Sequence, residues 1–133
     1  MGQPALSAEA QTALDGKLWE AAREGDAAAI ERLAAEGASP NAKKYGVPAV
    51  YGAAFYGHAG AVSALVRLGA DLDARDGNGW TALIWAAANG QVECARALLA
   101  GGADRTLRRS DGKTALEMAE AYGPAELAAL LRE

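Results

Sequence analysis

Residues 79–104 read GWTALIWAAANGQVECARALLAGGAD, and this stretch decides the fold. Thr81 opens a run rich in Ala and Leu that stops at Gly90, and a second apolar run follows at once and stops at Gly102. Ala is the best helix former, and a glycine just past a helix fits the left-handed closing conformation that other residues adopt at a cost. The stretch therefore predicts two short helices joined by a tight turn. The pattern recurs: Gly46, Gly79 and Gly112 stand 33 residues apart, and so do Gly57, Gly90 and Gly123. Leu65 returns as Leu98 and Leu131, and Gly69-Ala70-Asp71 returns as Gly102-Ala103-Asp104.

An earlier copy sits one residue out of step. Ala21-Ala22, Gly25 and Gly37-Ala38 match Ala53-Ala54, Gly57 and Gly69-Ala70 at a spacing of 32. The missing residue falls between Gly37 and Gly46, so a loop is shortened and the helices are spared. Between helix pairs lie polar stretches such as Asp71–Gly79, in which Asp76-Gly77 and Asn78-Gly79 are strong turn dipeptides.

A helix–turn–helix–loop unit of this length resembles the ankyrin repeat. That family's Thr-Pro-Leu-His-x-Ala motif has its counterpart in Thr81-Ala82-Leu83-Ile84-Trp85-Ala86, with Pro48–Ala53 before it and Thr114–Ala119 after it. The resemblance covers residues 15–133 and implies an all-α solenoid of stacked helix-turn-helix units with β-turn finger loops. The units fall at about 15–45, 46–78, 79–111 and 112–133. The first and last are caps, because a solenoid end must be polar on its outer side. Residues 1–14 form an N-terminal extension, in which Ser7–Leu14 suits a short helix packed on the first cap. Where the family has His, this chain has Tyr51, Ile84 and Glu117, with Trp19 in the first unit. The family's Thr–His hydrogen bonding is therefore lost.

Composition narrows the function. The net charge of −4 argues against a general nucleic-acid binder, which needs many cations to displace counterions from phosphates. No apolar run reaches a membrane span of about 20 residues, and MGQPALSAEAQ lacks the basic start and apolar stretch of a secretory signal. A single cysteine, Cys94, forms no internal disulfide and suits a reducing, intracellular setting, cytoplasmic or nuclear.

No enzyme chemistry emerges from the residues, and no cofactor or metal is expected. The lone His58 follows Gly57 at a helix start, and Cys94 falls in an apolar slot with Val92, Leu98 and Leu99. One His and one Cys make no metal-ligand spacing, so both read as structural. Asp71 and Asp104 occupy turns where an Asx side chain satisfies backbone N–H groups.

The resemblance instead implies a concave surface, built from finger loops and the exposed faces of first helices, on which a protein partner docks. Its candidate residues are Tyr45, Val47, Phe55, Tyr56, Arg75, Asn78, Trp80, Trp85, Asn89, Arg108, Arg109, Lys113 and Tyr122. Six of the eight aromatics fall on this surface, whereas Trp19 and Tyr51 take the buried His slot. Aromatics are enriched in interface hot spots, and Trp80 with Tyr56 is the expected centre, with Tyr45 beside them and Arg75, Arg108 and Arg109 further out. Seven of the 13 cations sit on the fingers, which favours an acidic segment on the partner. The expectation is a monomeric protein-interaction module that binds neither nucleic acid nor membrane. The alternative is a structural role through weak homodimerisation by the same patch.

Overall fold

The computed structural model describes residues 6–133. Residues 1–5 of the N-terminal extension lie outside the described residues. Eight helices among the described residues form four pairs: α1 (Ala8–Glu24) with α2 (Ala27–Ala35), α3 (Ala49–Phe55) with α4 (Ala59–Arg67), α5 (Ala82–Ala88) with α6 (Val92–Ala100), and α7 (Ala115–Tyr122) with α8 (Ala125–Arg132). The first helices α1, α3, α5 and α7 pack in sequence, and α2, α4, α6 and α8 form a second row. The described residues form an all-α solenoid, and no helix among them is long and apolar enough to cross a membrane.

Small side chains allow this close stacking. Ala53, Ala54, Ala86, Ala87, Ala61, Ala64 and Ala95 have no exposed surface. The large apolar residues fill what remains: Leu18, Ile30, Leu65, Leu83, Leu98 and Leu127 are all fully enclosed. Leu131, the last in the leucine series, is buried as well. Threonine starts two of the first helices: Thr81 Oγ1 accepts from Ile84 N at 3.2 Å, and Thr114 forms a reciprocal capping box with Glu117.

Glycines close helices where the next unit leans in. Gly57 has φ +78°, and a Cβ there would lie 2.7 Å from the side-chain oxygen of Gln91 in the following unit. His58 occupies the same slot one unit earlier, with its ring against Gly25. Gly123 departs from the left-handed conformation expected of the series, with φ −99° and ψ 170°. Pro124 follows it, and a residue before proline is driven to extended backbone.

The extension differs from expectation too. Ser7 caps α1 by accepting from Ala10 N at 3.1 Å, and the helix then runs unbroken to Glu24. No proline interrupts it, and Gly16 is tolerated inside. Residues 8–14 are thus the first turns of α1 and not a separate helix. Gln11 donates to the Gly37 carbonyl at 2.9 Å, and Asp15 accepts from Ser39 N at 2.8 Å, which ties the start of α1 to the loop after α2.

Two of the residues standing in the family's His slot, Trp19 and Tyr51, make their own links to the fingers. Trp19 Nε1 donates to the Val47 carbonyl at 2.8 Å, and the Tyr51 hydroxyl donates to Asp76 at 2.5 Å. Each joins a first helix to the finger that follows its helix pair. The turn residues form a second ladder: Asn41 accepts from Asp71 N at 2.7 Å, and Asp73 accepts from Asp104 N at 2.8 Å.

Candidate functional site

The first finger is a two-residue hairpin between β1 (Lys43–Lys44) and β2 (Val47–Pro48). Its tip is Tyr45-Gly46, with φ of +57° and +75°, the left-handed pair of a type I′ turn. Tyr45 is the one non-glycine residue with positive φ among the described residues, a position that strains a bulky side chain. The turn holds its ring 86% exposed.

The second and third fingers are tied together. Ser110 N donates to the Asn78 carbonyl at 3.0 Å, Arg109 N donates to Lys113 O at 2.9 Å, and Arg108 pairs with Thr114 in one antiparallel bridge. A Cβ at Gly79 would lie 2.9 Å from Ser110 N, so the closeness of the fingers needs glycine there. Asp76 organises the second finger. Burial alone would raise its pKa, but hydrogen bonds from Tyr51 and from the backbone of Trp80, Asn78 and Gly79 outweigh this and hold the carboxyl below its ordinary range.

Aromatics from two units join across the first helices. Trp80 and Trp85 stack with centroids 3.9 Å apart and planes 20° apart. Trp85 meets Phe55 edge-on at 4.9 Å and Tyr51 at 5.7 Å, and Phe55 meets Tyr56 at 5.0 Å. The edge-to-face geometries of Trp85 with Phe55 and Tyr51, and of Phe55 with Tyr56, suit the ring quadrupoles. Tyr56 remains 55% exposed at the solvent end of the chain of rings. Trp85 Nε1 is buried without a hydrogen-bond partner.

The structure brings Phe55, Tyr56, Trp80 and Trp85 together, as their positions in the repeat imply. It adds Arg109, whose guanidinium lies 4.5 Å from the centre of the Trp80 ring and pairs with Asp111. Arg109 is therefore no outlying charge, with its side chain only 17% exposed. Trp80 is held between Trp85 and Arg109 and is half-buried, which makes it part of the packing as well as of the surface.

Tyr45 does not join this group. It meets Trp19 edge-on at 6.3 Å, and Lys44 lies over both rings. Val47 is half-buried, with its carbonyl taken by Trp19. Asn89 is exposed at the end of α5, and Tyr122 is 71% exposed at the end of α7, close enough to Arg109 to raise its pKa slightly beyond the effect of Asp111.

Several finger cations are already engaged. Lys44 pairs with Glu20 at 2.6 Å, Arg108 donates to the Gly112 carbonyl at 2.7 Å, and Arg105 donates to the Leu131 and Glu133 carbonyls. Lys43, Arg75 and Lys113 form no ion pair among the described residues, so the free positive charge is smaller than the count of cations suggests. On the far side, Arg67 bonds Glu31 and Arg96 bonds Glu126, each joining the second helices of neighbouring units.

One feature escapes the residue-by-residue mapping. A groove of about 200 Å³ opens between α1 and α3, walled by Trp19, Tyr51, Phe55 and Tyr56, with Arg23 and Val47 at its margin and Gly52 in its floor. Trp19 and Tyr51 are buried as the repeat predicts, yet their edges line this groove. The signal in the sequence was Gly52 itself, a glycine inside a helix at the slot that holds Trp85 in the next unit.

Chemical machinery is sparse. Among the described residues, no three His, Cys, Asp or Glu side chains converge to hold a metal ion. Cys94 is enclosed, and burial pushes its thiol pKa up to about 11.

Among curated proteins, none matches this sequence. The family description "Ankyrin repeats (3 copies)" matches residues 18–109 and again, in an overlapping placement, residues 51–133. With helix pairs, capping glycines and linked fingers in the same places, the chain belongs to the ankyrin-repeat family.

Proposed function

We propose that this chain binds another protein through the concave face formed by its fingers and first helices. Ankyrin repeats are in general protein–protein interaction modules, and their fold is typically not that of an enzyme. The observation that carries the finer reading is the continuous row of rings from Trp80 through Trp85 and Phe55 to Tyr56. Trp80 packs against the core at one end of the row, and Tyr56 ends it in solvent. Tyr45 adds support. Strained backbone gathers at working positions, and here it presents a ring to solvent at a finger tip.

The partner is a folded protein or an extended acidic segment. Lys43, Arg75 and Lys113 give the finger edge exposed positive charge that would steer such a segment on approach. Tyr56 and Tyr45 are the anchors whose loss tests binding without dismantling the stack.

Pull-down from cell extract with wild type, Tyr56→Ala and Arg67→Ala tests the reading. The expected result is a partner retained by Arg67→Ala and lost or weakened at least tenfold by Tyr56→Ala. The reverse pattern would place the interface on the second-helix side and refute the proposal. A concentration-dependent dimer in light scattering, abolished by Tyr56→Ala, would assign the same patch to self-association instead.

A further inference from the structure

We infer that the groove floored by Gly52 receives one apolar side chain from the bound partner, with an acidic group next to it. The occupant rests on the concave-face reading above, whereas the groove is a feature of the packing alone. Glycine inside a helix is less favourable than alanine, and Gly52 sits in the middle of α3. Its backbone is covered, yet a Cβ added there would meet nothing within 4 Å. No steric demand of the fold therefore calls for glycine. The same slot one unit later holds Trp85, which fills its own concave surface. Gly52 leaves that place empty.

Size and chemistry select the occupant. A sealed apolar cavity of about 150 Å³ admits benzene, so a groove of about 200 Å³ suits one branched aliphatic or phenyl side chain. Its walls are aromatic, and Arg23 is the charged residue in its lining among the described residues. Rings can also hold organic cations, but the faces of Trp19 already carry two, with Arg23 at 5.7 Å and Lys44 at 5.5 Å from its centre. Arg23 and Lys44 share a single carboxylate, Glu20, at 2.5 and 2.6 Å. At the Trp19 end the balance is positive, while the Asp76 carboxylate bonded to Tyr51 lies at the opposite end, so a carboxylate beside the apolar group is favoured next to Arg23.

Titration with small probes, followed by the Trp19 indole and Gly52 amide resonances, tests this directly. N-acetyl-leucine should bind weakly but saturably, and its uncharged amide at least threefold more weakly. Choline should not compete. Gly52→Leu should abolish binding of N-acetyl-leucine by occupying the space. Gly52→Ala, which restores helix propensity and keeps the fold, should weaken it at least threefold. Equal binding by wild type and Gly52→Ala, a preference for choline, or no saturable shift at Trp19 and Gly52 would overturn the inference. A natural partner lost by Tyr56→Ala but indifferent to Gly52→Ala would overturn the groove alone and leave the concave-face reading intact. Probe binding in the groove together with a partner on the second-helix side would overturn both the concave-face reading and the partner as the groove's occupant.

Discussion

Trp80→Ala should destabilise the protein as well as disturb its surface, and the structure sets the size of the effect. Replacing a fully buried Trp or Phe by Ala costs about 3–5 kcal/mol, and Trp80 is half-buried, so its packing share is about 1–2 kcal/mol. The stack on Trp85 at 3.9 Å contributes about 1 kcal/mol beyond burial. Arg109 over the other face contributes about 0.5 kcal/mol, the low end for a cation–π pair. The sum is about 3 kcal/mol, or about 10 °C in Tm for a domain of this size. Trp80→Phe keeps a ring between Trp85 and Arg109 and should lose about half as much. Urea denaturation followed by far-UV circular dichroism measures both, with the m value as a check that unfolding remains one transition. A loss under about 1 kcal/mol for Trp80→Ala would show that the Trp85–Trp80–Arg109 sandwich does not exist in solution. A binding defect in Trp80→Ala is informative only beside Trp80→Phe and Tyr56→Ala, which separate lost contact from lost fold.

Other substitutions probe the stack of units and the buried groups. Leu98→Ala removes a fully enclosed side chain between α6 and its neighbours and should cost about 2–5 kcal/mol by chemical denaturation; a loss under about 1 kcal/mol would contradict the core assignment. Tyr51→Phe deletes the hydroxyl that donates to Asp76 and should cost about 1.5 kcal/mol at neutral pH. Because the Asp76 carboxyl is held below its ordinary range, its contribution is present above the unfolded pKa of about 3.9 and is lost as pH falls through the lower folded value. Tyr51→Phe should therefore show less acid destabilisation than wild type, and identical acid profiles would refute the link. Cys94, enclosed and with its pKa raised to about 11, should resist a thiol reagent at pH 8 until the protein unfolds; rapid labelling of the native state would contradict its burial.

The repeat was legible because period and glycine chemistry are local. Glycines at 33-residue spacing, threonine before two of the first helices and leucines at fixed offsets each act within a few residues, so reading them needs no knowledge of neighbours. The placement of Phe55, Tyr56 and Trp85 on one face follows from the same register. What was not legible depended on distances between units. The loss of the family's His removes one hydrogen bond on paper, but Trp19 and Tyr51 reach the next finger with a longer polar tip. Arg109 reads as a loop cation until the third finger folds its guanidinium onto Trp80. Tyr45 reads as a neighbour of Trp80, yet at the hairpin tip its ring meets Trp19 edge-on. Residues 8–14 fall outside the repeat and read as a short helix of their own, but helix propensity continues across that boundary without a breaker, and they open α1. The Gly52 groove depends on a missing side chain, which only the surrounding rings make visible.

Hydroxyl-radical footprinting of the chain bound to its captured partner addresses the concave-face interface most directly. Aromatic side chains react readily when exposed, and Tyr45, Tyr56 and Tyr122 are all exposed in the free protein. Partner binding should protect Tyr56 and Tyr45, with Phe55 alongside, while side chains on α2, α4 and α6 keep their free-state reactivity. Protection confined to those second helices, with Tyr45 and Tyr56 as reactive as before, would contradict it.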